Sequence, residues 1–137
     1  MADHYTLRLA PGMRERLIEQ AQRARLAERT LAQRYLDEGL RHDSHPLIHF
    51  VDGPSGRRAS LVGQGLDVWE VIATVRDNGG STADAATYLE IPTGLVEAAV
   101  AYYGEYHAEV DEEIRLNAVE YDRGRAAALK GERALRV

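Results

Sequence analysis

The 137-residue sequence contains no cysteine, which excludes disulfides, thiol nucleophiles and thiolate metal sites and fits a reducing compartment. Prolines number only four, and the apolar share of 45% is ordinary for a folded chain, so disorder throughout is excluded. No run of about eighteen uncharged apolar residues exists to span a bilayer, and Met1 to Leu9 lacks the apolar stretch of a signal peptide. The expected location is cytoplasmic, with no membrane partner. Nucleophile–base pairs, phosphate-cradling glycine loops and dinucleotide fingerprints are missing as well, so neither an enzyme nor a cofactor is expected.

The sequence also lacks an overall basic excess, with a formal net charge of −5, but that charge is unevenly distributed. From Met1 to Ser44 eight arginines face seven acids, giving +1; from Gly63 to Glu113 Arg76 is the only cation against eleven acids, giving −10; from Ile114 to Val137 six cations exceed three acids, giving +3. Such partition points to segments with different partners.

The first segment opens on alternation. Tyr5, Leu7 and Leu9 would share one face of a strand, with His4, Thr6 and Arg8 on the other. Pro11 and Gly12 stop the strand. A helix is expected from about Pro11 to Ala24, with Met13, Leu17, Ala21 and Ala24 as its stripe, and a second from about Glu28 to Arg41, with Leu31, Tyr35, Leu36 and Leu40. One strand and two short helices cannot bury a core alone, so this segment is expected to pair with a copy of itself.

Residues Tyr5-Thr6-Leu7-Arg8-Leu9-Ala10-Pro11, Arg16-Leu17 and Leu31-Ala32-Gln33-Arg34-Tyr35-Leu36 resemble the ribbon-helix-helix repressors and antitoxins over about residues 4 to 41. The resemblance implies that two strands pair into an antiparallel ribbon entering the DNA major groove. It further implies that His4, Thr6 and Arg8, with Arg29, contact DNA, since Arg can fork to guanine and Thr can hydrogen-bond to several bases. The chain departs from the family at Ala27, where a Ser or Thr usually caps the second helix and its amides hold a phosphate.

Beyond His45-Pro46, Asp52-Gly53-Pro54-Ser55-Gly56 is a dense turn signal between two β-like runs, Leu47 to Val51 and Arg57 to Val62, and predicts a hairpin. A helix is expected from Asp67 to about Asn78, a break at Gly79-Gly80, a helix from Ser81 or Thr82 to Leu89, and a long helix from Pro92-Thr93 to about His107. Arg57 to Gly63, Leu66 to Val71, Ala98 to Tyr103 and Glu109-Val110-Asp111 look like the family known as domain of unknown function 433, over roughly residues 45 to 114. That resemblance implies a helix-turn-helix-like fold and a role as antitoxin beside PIN-like ribonuclease toxins. The expected fold class is therefore mainly α: a dimeric ribbon-helix-helix (residues 1–44), a helix-turn-helix-like module with an N-terminal β-hairpin (45–120), and a tail (121–137).

Several groupings admit a functional and a plainer reading. The helix after Thr93 carries Glu97 and Glu105 and no Lys or Arg up to Ile114, which argues against DNA reading, because each neutralised phosphate should contribute about 0.9 to the salt slope. Its positions Val96, Val100, Tyr103, His107, Val110 and Ile114 form a seam for another helix, within the domain or across a dimer. Glu109, Asp111, Glu112 and Glu113 read as a solvated helix face rather than a catalytic or magnesium site. His42, His45 and His49 read as solvated linker residues, not a zinc set, because Pro46 interrupts any helix that would align them; no metal is expected. Trp69, Tyr88, Tyr102 and Tyr103 read as core aromatics.

The tail from Tyr121 is helix-permissive but short and Gly-interrupted, so it is expected to fray or to fold on a partner. Antitoxins of this type commonly place such a tail on the toxin. On that reading Arg123, Arg125 and Arg133 approach an acidic nuclease site while Leu129 and Leu135 dock in an apolar groove. The expected function is antitoxin of a type II toxin–antitoxin pair, neutralising a PIN-like ribonuclease and repressing its own operon as a homodimer or higher oligomer on operator DNA. The alternatives are a stand-alone ribbon-helix-helix transcriptional regulator and an interaction adaptor that does not bind DNA.

Overall fold

A computed structural model describes residues 3–53 and 56–136. Among these residues the chain is mainly helical, with five helices and one two-stranded antiparallel sheet. It divides into two compact units, Met1–Asp43 and Ser44–Val137.

In the first unit, Gly12 turns the chain with φ 82° and leads into α1 (Met13–Ala24). The helix stops at Arg25, whose left-handed φ of 56° lets the N–H groups of Arg25 and Leu26 reach the carbonyls of Gln22 and Ala21, satisfying acceptors that a helix end otherwise leaves open. After a three-residue link, Arg25 to Ala27, α2 (Glu28–Ser44) begins. The expected strand over residues 4 to 9 is not formed: residues 3–10 have no regular structure. The reason is physical, since a strand is defined by the ladder it shares and this unit of a single chain offers no second edge. Among the described residues of the unit only Ala21 and Leu31 are buried, whereas Tyr5, Leu7, Met13, Tyr35, Leu36 and Leu40 are exposed.

The second unit has a core of its own. Strands β1 (Ile48–Gly53) and β2 (Gly56–Leu61) pair from Ile48↔Leu61 to Gly53↔Gly56. This is the hairpin expected from the turn signal, of which Pro54 and Ser55 lie outside the described residues. Asp67 then starts α3 (Val68–Asp77) through a capping box: its side chain accepts from the third helical residue while Glu70 accepts from the Asp67 N–H at 3.2 Å. Gly79 and Gly80, both at positive φ, reverse the chain, and Ser81 caps α4 (Thr82–Leu89) by accepting from the Asp84 N–H at 3.1 Å.

Pro92 precedes α5 (Thr93–Leu135), which is kinked at Tyr106 (φ −124°, ψ 33°). Val96, Ala99, Tyr102 and Val110 on α5 are buried with Val68, Val71 and Ile72 of α3, Ala85 and Ala86 of α4, and Ile48, Ala59 and Leu61 of the hairpin. The seam read from the sequence thus packs within its own unit, although His107 stays exposed. Among the expected core aromatics Tyr102 is buried, Trp69 and Tyr103 are partly buried, and Tyr88 is 75% exposed. Tyr88 lies near the end of the short α4, beyond reach of the core that Ala85 and Ala86 enter.

Tyr102 is the largest of the fully buried side chains, and its ring lies 5.4 Å from His45, 6.3 Å from Phe50 and 4.7 Å from Tyr106. Truncation there leaves a cavity at the meeting point of β1 and α5. Tyr102→Ala is expected to cost about 3–5 kcal/mol, read as a lowered urea midpoint of the second unit, whereas Leu135→Ala, at an 86% exposed position, should change stability by less than about 0.5 kcal/mol.

Candidate nucleic-acid and partner interface

The residues assigned to DNA contact, His4, Thr6, Arg8 and Arg29, are all exposed in the first unit. Next to them in sequence, Leu7 and Leu9 line an open groove of ≈ 510 Å³ together with Met13, Leu17, Tyr35, Leu36 and the stems of Arg16 and Gln20. His4, Thr6 and Arg8 do not line it. The parity expected of a strand therefore survives in part without the strand. Leu7 and Leu9 turn to the groove, while Tyr5, which was read on the same face, is 85% exposed.

In the second unit, α4 and α5 follow one another as a helix pair, but the exposed surface at the start of α5 carries Glu97 and Glu105. Arg76, the lone cation between Gly63 and Glu113, is committed elsewhere. Its Nη2 lies 2.6 Å from Tyr103 Oη and 2.5 Å from Asp111 Oδ1, the guanidinium sits 5.5 Å from the Tyr103 ring centre, and Tyr103 Oη donates to Asp111 Oδ1 at 2.8 Å. These bonds hold the Asp111 carboxyl below the usual carboxylate range and raise Arg76. Tyr103 and Asp111 stand on either side of the Tyr106 kink, so Arg76 ties the two parts of α5 to α3.

Two readings from the sequence are corrected here. His45 is not a solvated linker residue: its side chain is 9% exposed, its Nε2 lies 2.9 Å from Glu105 Oε1, and its ring meets Tyr102 and Tyr106 edge-on. Glu113 is not part of a solvated face either. It is half-buried beside Arg58 of β2 and Asp67 at the start of α3, with its Oε2 shielded from solvent and lacking a hydrogen-bond partner. Arg58 Nε forms an ion pair with Asp67 Oδ2, without an N–H aligned for a hydrogen bond, and Trp69 Nε1 donates to the same carboxylate oxygen at 3.2 Å. Asp67 thus holds Arg58, the cation that acts on Glu113. Burial, then the negative charges of Asp67 and Glu109, push the Glu113 carboxyl up to about 7, against a smaller opposing effect of Arg58. The available sequence signal was spacing: Glu113 and Asn117 follow Val110 at helical intervals on the inward side. Among the described residues no three His, Asp or Glu side chains come together as a metal site.

The tail is corrected as well. Instead of fraying, it continues α5 to Leu135, because a helix already nucleated by a packed first half propagates at small cost per residue, and Ala126, Ala127 and Ala128 favour it between Gly124 and Gly131. Arg123 donates to Glu120 Oε1 at 3.1 Å. Arg125, Leu129 and Arg133, four apart, share one side of the helix, while Leu135 falls well away from them at about 100° per residue. The proposed partner-binding residues are all exposed but do not form a single face. No family model, curated protein or solved structure matches the chain.

Because the Glu113 carboxyl is raised from 4.5 to about 7 in the folded protein, its contribution to stability is complete below pH 4.5 and is lost as pH rises through 7. The second unit is expected to weaken between pH 5 and pH 8 by roughly 1 kcal/mol, the full linkage being reduced by solvent screening at this half-exposed group. Glu113→Gln should remove that slope and be more stable than the parent at pH 8. Urea unfolding across the pH range checks both; an unchanged slope in the variant would refute the assignment.

Proposed function

We propose that the chain is a dimeric ribbon-helix-helix DNA-binding protein that acts in the cytoplasm as an antitoxin, repressing its own operon and neutralising a PIN-like ribonuclease. The observation that carries this reading is the unfilled apolar groove of the first unit. A unit with two buried side chains among its described residues and a groove lined by Leu7, Leu9, Met13, Leu17, Tyr35 and Leu36 exposes what an ordinary domain would use as core. A second copy of residues 3–43 supplies the missing half: its strand pairs with this one, and the apolar faces of both copies close over each other as an isologous interface. Pairing then leaves Thr6 and Arg8, which do not line the groove, on the outer face of the ribbon, where a major groove can be read.

The antitoxin part follows from the resemblance of residues 45 to 114 and from the shape of the tail. Acidic residues cover much of the second unit up to Glu113, after which the exposed helix turns basic with Arg123, Arg125, Lys130 and Arg133. A nuclease site built of metal-binding carboxylates would attract such guanidinium groups. The Arg125–Leu129–Arg133 side is the part suited to enter it, with Leu129 supplying apolar contact.

Arg8→Ala is expected to weaken specific operator binding about 5- to 150-fold, equivalent to 1–3 kcal/mol for a lost guanine fork, with a much smaller change on random duplex. Fluorescence anisotropy with both duplexes measures this, and equal loss on both would reject base reading. Removal of residues 121–137 should abolish inhibition of the toxin while leaving operator affinity within about twofold. Full inhibition by the truncated chain would eliminate the tail as the neutralising element.

A further inference from the structure

The attachments of α5 change where it kinks. Before Tyr106 the helix is fixed by the buried Val96, Ala99 and Tyr102, and the His45 side chain meets both Glu105 and Tyr106. Tyr106 itself leaves the helical region (φ −124°, ψ 33°), and Gly104, two residues earlier, is a weak helix former. Beyond the kink the helix is held by Val110 and Ile114, by the bond from Arg76 to Asp111, and by Glu113 and Asn117 on the side turned to the hairpin and Trp69. From residue 118 onward every described residue is exposed. A break between a firmly packed stretch and a lightly held one is a natural hinge.

Glu113 stands at the point where the second stretch meets the hairpin. It borders a cavity of ≈ 40 Å³ with Arg57 and Arg58 of β2, Trp69 of α3, and Leu116 and Asn117 of α5. That is room for about one water, far below the roughly 300 Å³ at which ligand pockets begin. Glu113 Oε2 and Arg58 Nε are both shielded from solvent with no hydrogen-bond partner among the described residues. Asn117 Nδ2 donates to the Glu113 backbone carbonyl at 2.8 Å. Of the charged groups around the carboxyl, Asp67 at the start of α3 engages Arg58, Arg57 pairs with Asp52 of β1 at 3.4 Å, and Glu109 acts from one turn back on α5. An ionised Glu113 adds negative charge beside Asp67 and Glu109, against a guanidinium that Asp67 already holds. A neutral one adds none.

We propose that Glu113 is a proton-operated latch on a hinged arm: neutral, it lets residues 107–117 of α5 lie on the hairpin and Trp69, and ionised, it turns the arm out about Tyr106 while the first stretch of α5 keeps its packing. Its carboxyl is pushed up to about 7 by burial and by Asp67 and Glu109, so docking is complete below pH 4.5 and weakens as pH rises through 7. Arg76 is raised and Asp111 lowered, which keeps both charged throughout this range and makes their bond the tether that pH does not release. His107 lies against Tyr103 at that tether, 6.2 Å between ring centres, and His45 lies at Glu105; substitution at Glu113 separates its effect from theirs. The pH-dependent loss is thereby assigned to one arm of the unit, and the basic tail moves with it.

Amide hydrogen exchange of the full chain, followed residue by residue by NMR between pH 6 and pH 8 and expressed as protection factors, locates the opening. Amides of residues 110–117 are expected to be at least about tenfold less protected than those of residues 96–102, and to lose at least about a further fivefold from pH 6 to pH 8. In Glu113→Gln the gap between the two stretches should remain and the pH-dependent loss should vanish. Equal protection in both stretches would show that the unit opens only as a whole. Protection that does not change with pH in the parent, or an undiminished loss in the variant, would remove Glu113 as the latch. Any of these overturns the proposal, which is read within the second unit and needs neither DNA nor toxin, so its outcome is independent of the antitoxin reading.

Discussion

Everything distinctive in the second unit depends on the packing of the first part of α5 against α3, α4 and the hairpin. Val96, Ala99 and Tyr102 sit at 0–1% exposure at successive turns, and this burial fixes where the helix starts, which side faces inward and how it leaves the core. Helix nucleation is the costly step and propagation the cheap one. Once this stretch is held, the following residues extend it at small expense, even through Gly124 and Gly131. The kink at Tyr106 is tolerated because Arg76 bridges it, binding Tyr103 before and Asp111 after. Loss of Arg76 would leave the second stretch of α5 anchored chiefly by Val110 and Ile114.

The same inward side explains the Glu113 environment. Val110 and Ile114 bring their helical neighbours toward the hairpin and the start of α3, and Glu113 is carried into the space where Asp67 already holds Arg58 and caps α3. Asp67 cannot be spared, because it serves the backbone of α3, the guanidinium of Arg58 and the indole of Trp69 together. Glu113 therefore enters an arrangement whose charge is already balanced, and the upward push on its carboxyl is the consequence. The first unit presents the opposite situation. Its helices are formed, but its apolar side chains outnumber the contacts available to them, and two buried residues among those described cannot offset the entropy of ordering some forty.

Local features of the sequence were legible in proportion to how local their physics is. Gly12, Gly79-Gly80, Asp67, Ser81 and Pro92 mark helix boundaries through backbone conformation and capping, and the structure places the boundaries there. The hairpin followed from a turn signal flanked by strand-forming runs. The strand over residues 4 to 9 was read from alternation, but alternation specifies faces, not a ladder, and in one chain of the first unit no edge exists to complete it. Reach was missed elsewhere. The burial of His45 against Tyr102 depends on the path of α5, sixty residues away, and nothing within the linker encodes it. Likewise the four acids from Glu109 to Glu113 look alike in sequence, and only the three-dimensional position of Asp67 and Arg58 separates Glu113 from the rest. The extent of α5 was underestimated because the tail was weighed as an isolated peptide, whereas it begins already nucleated.

The charge partition along the chain acquires a structural meaning on a continuous helix. In a flexible tail, acidic and basic blocks would screen each other by folding back. On a rigid rod of about 1.5 Å per residue the acids near Glu109 and the cations near Arg133 are held some 36 Å apart, several Debye lengths at physiological salt. They cannot neutralise one another within one copy. The helix therefore holds its basic end apart from its acidic one, where an acidic active site would engage it alone.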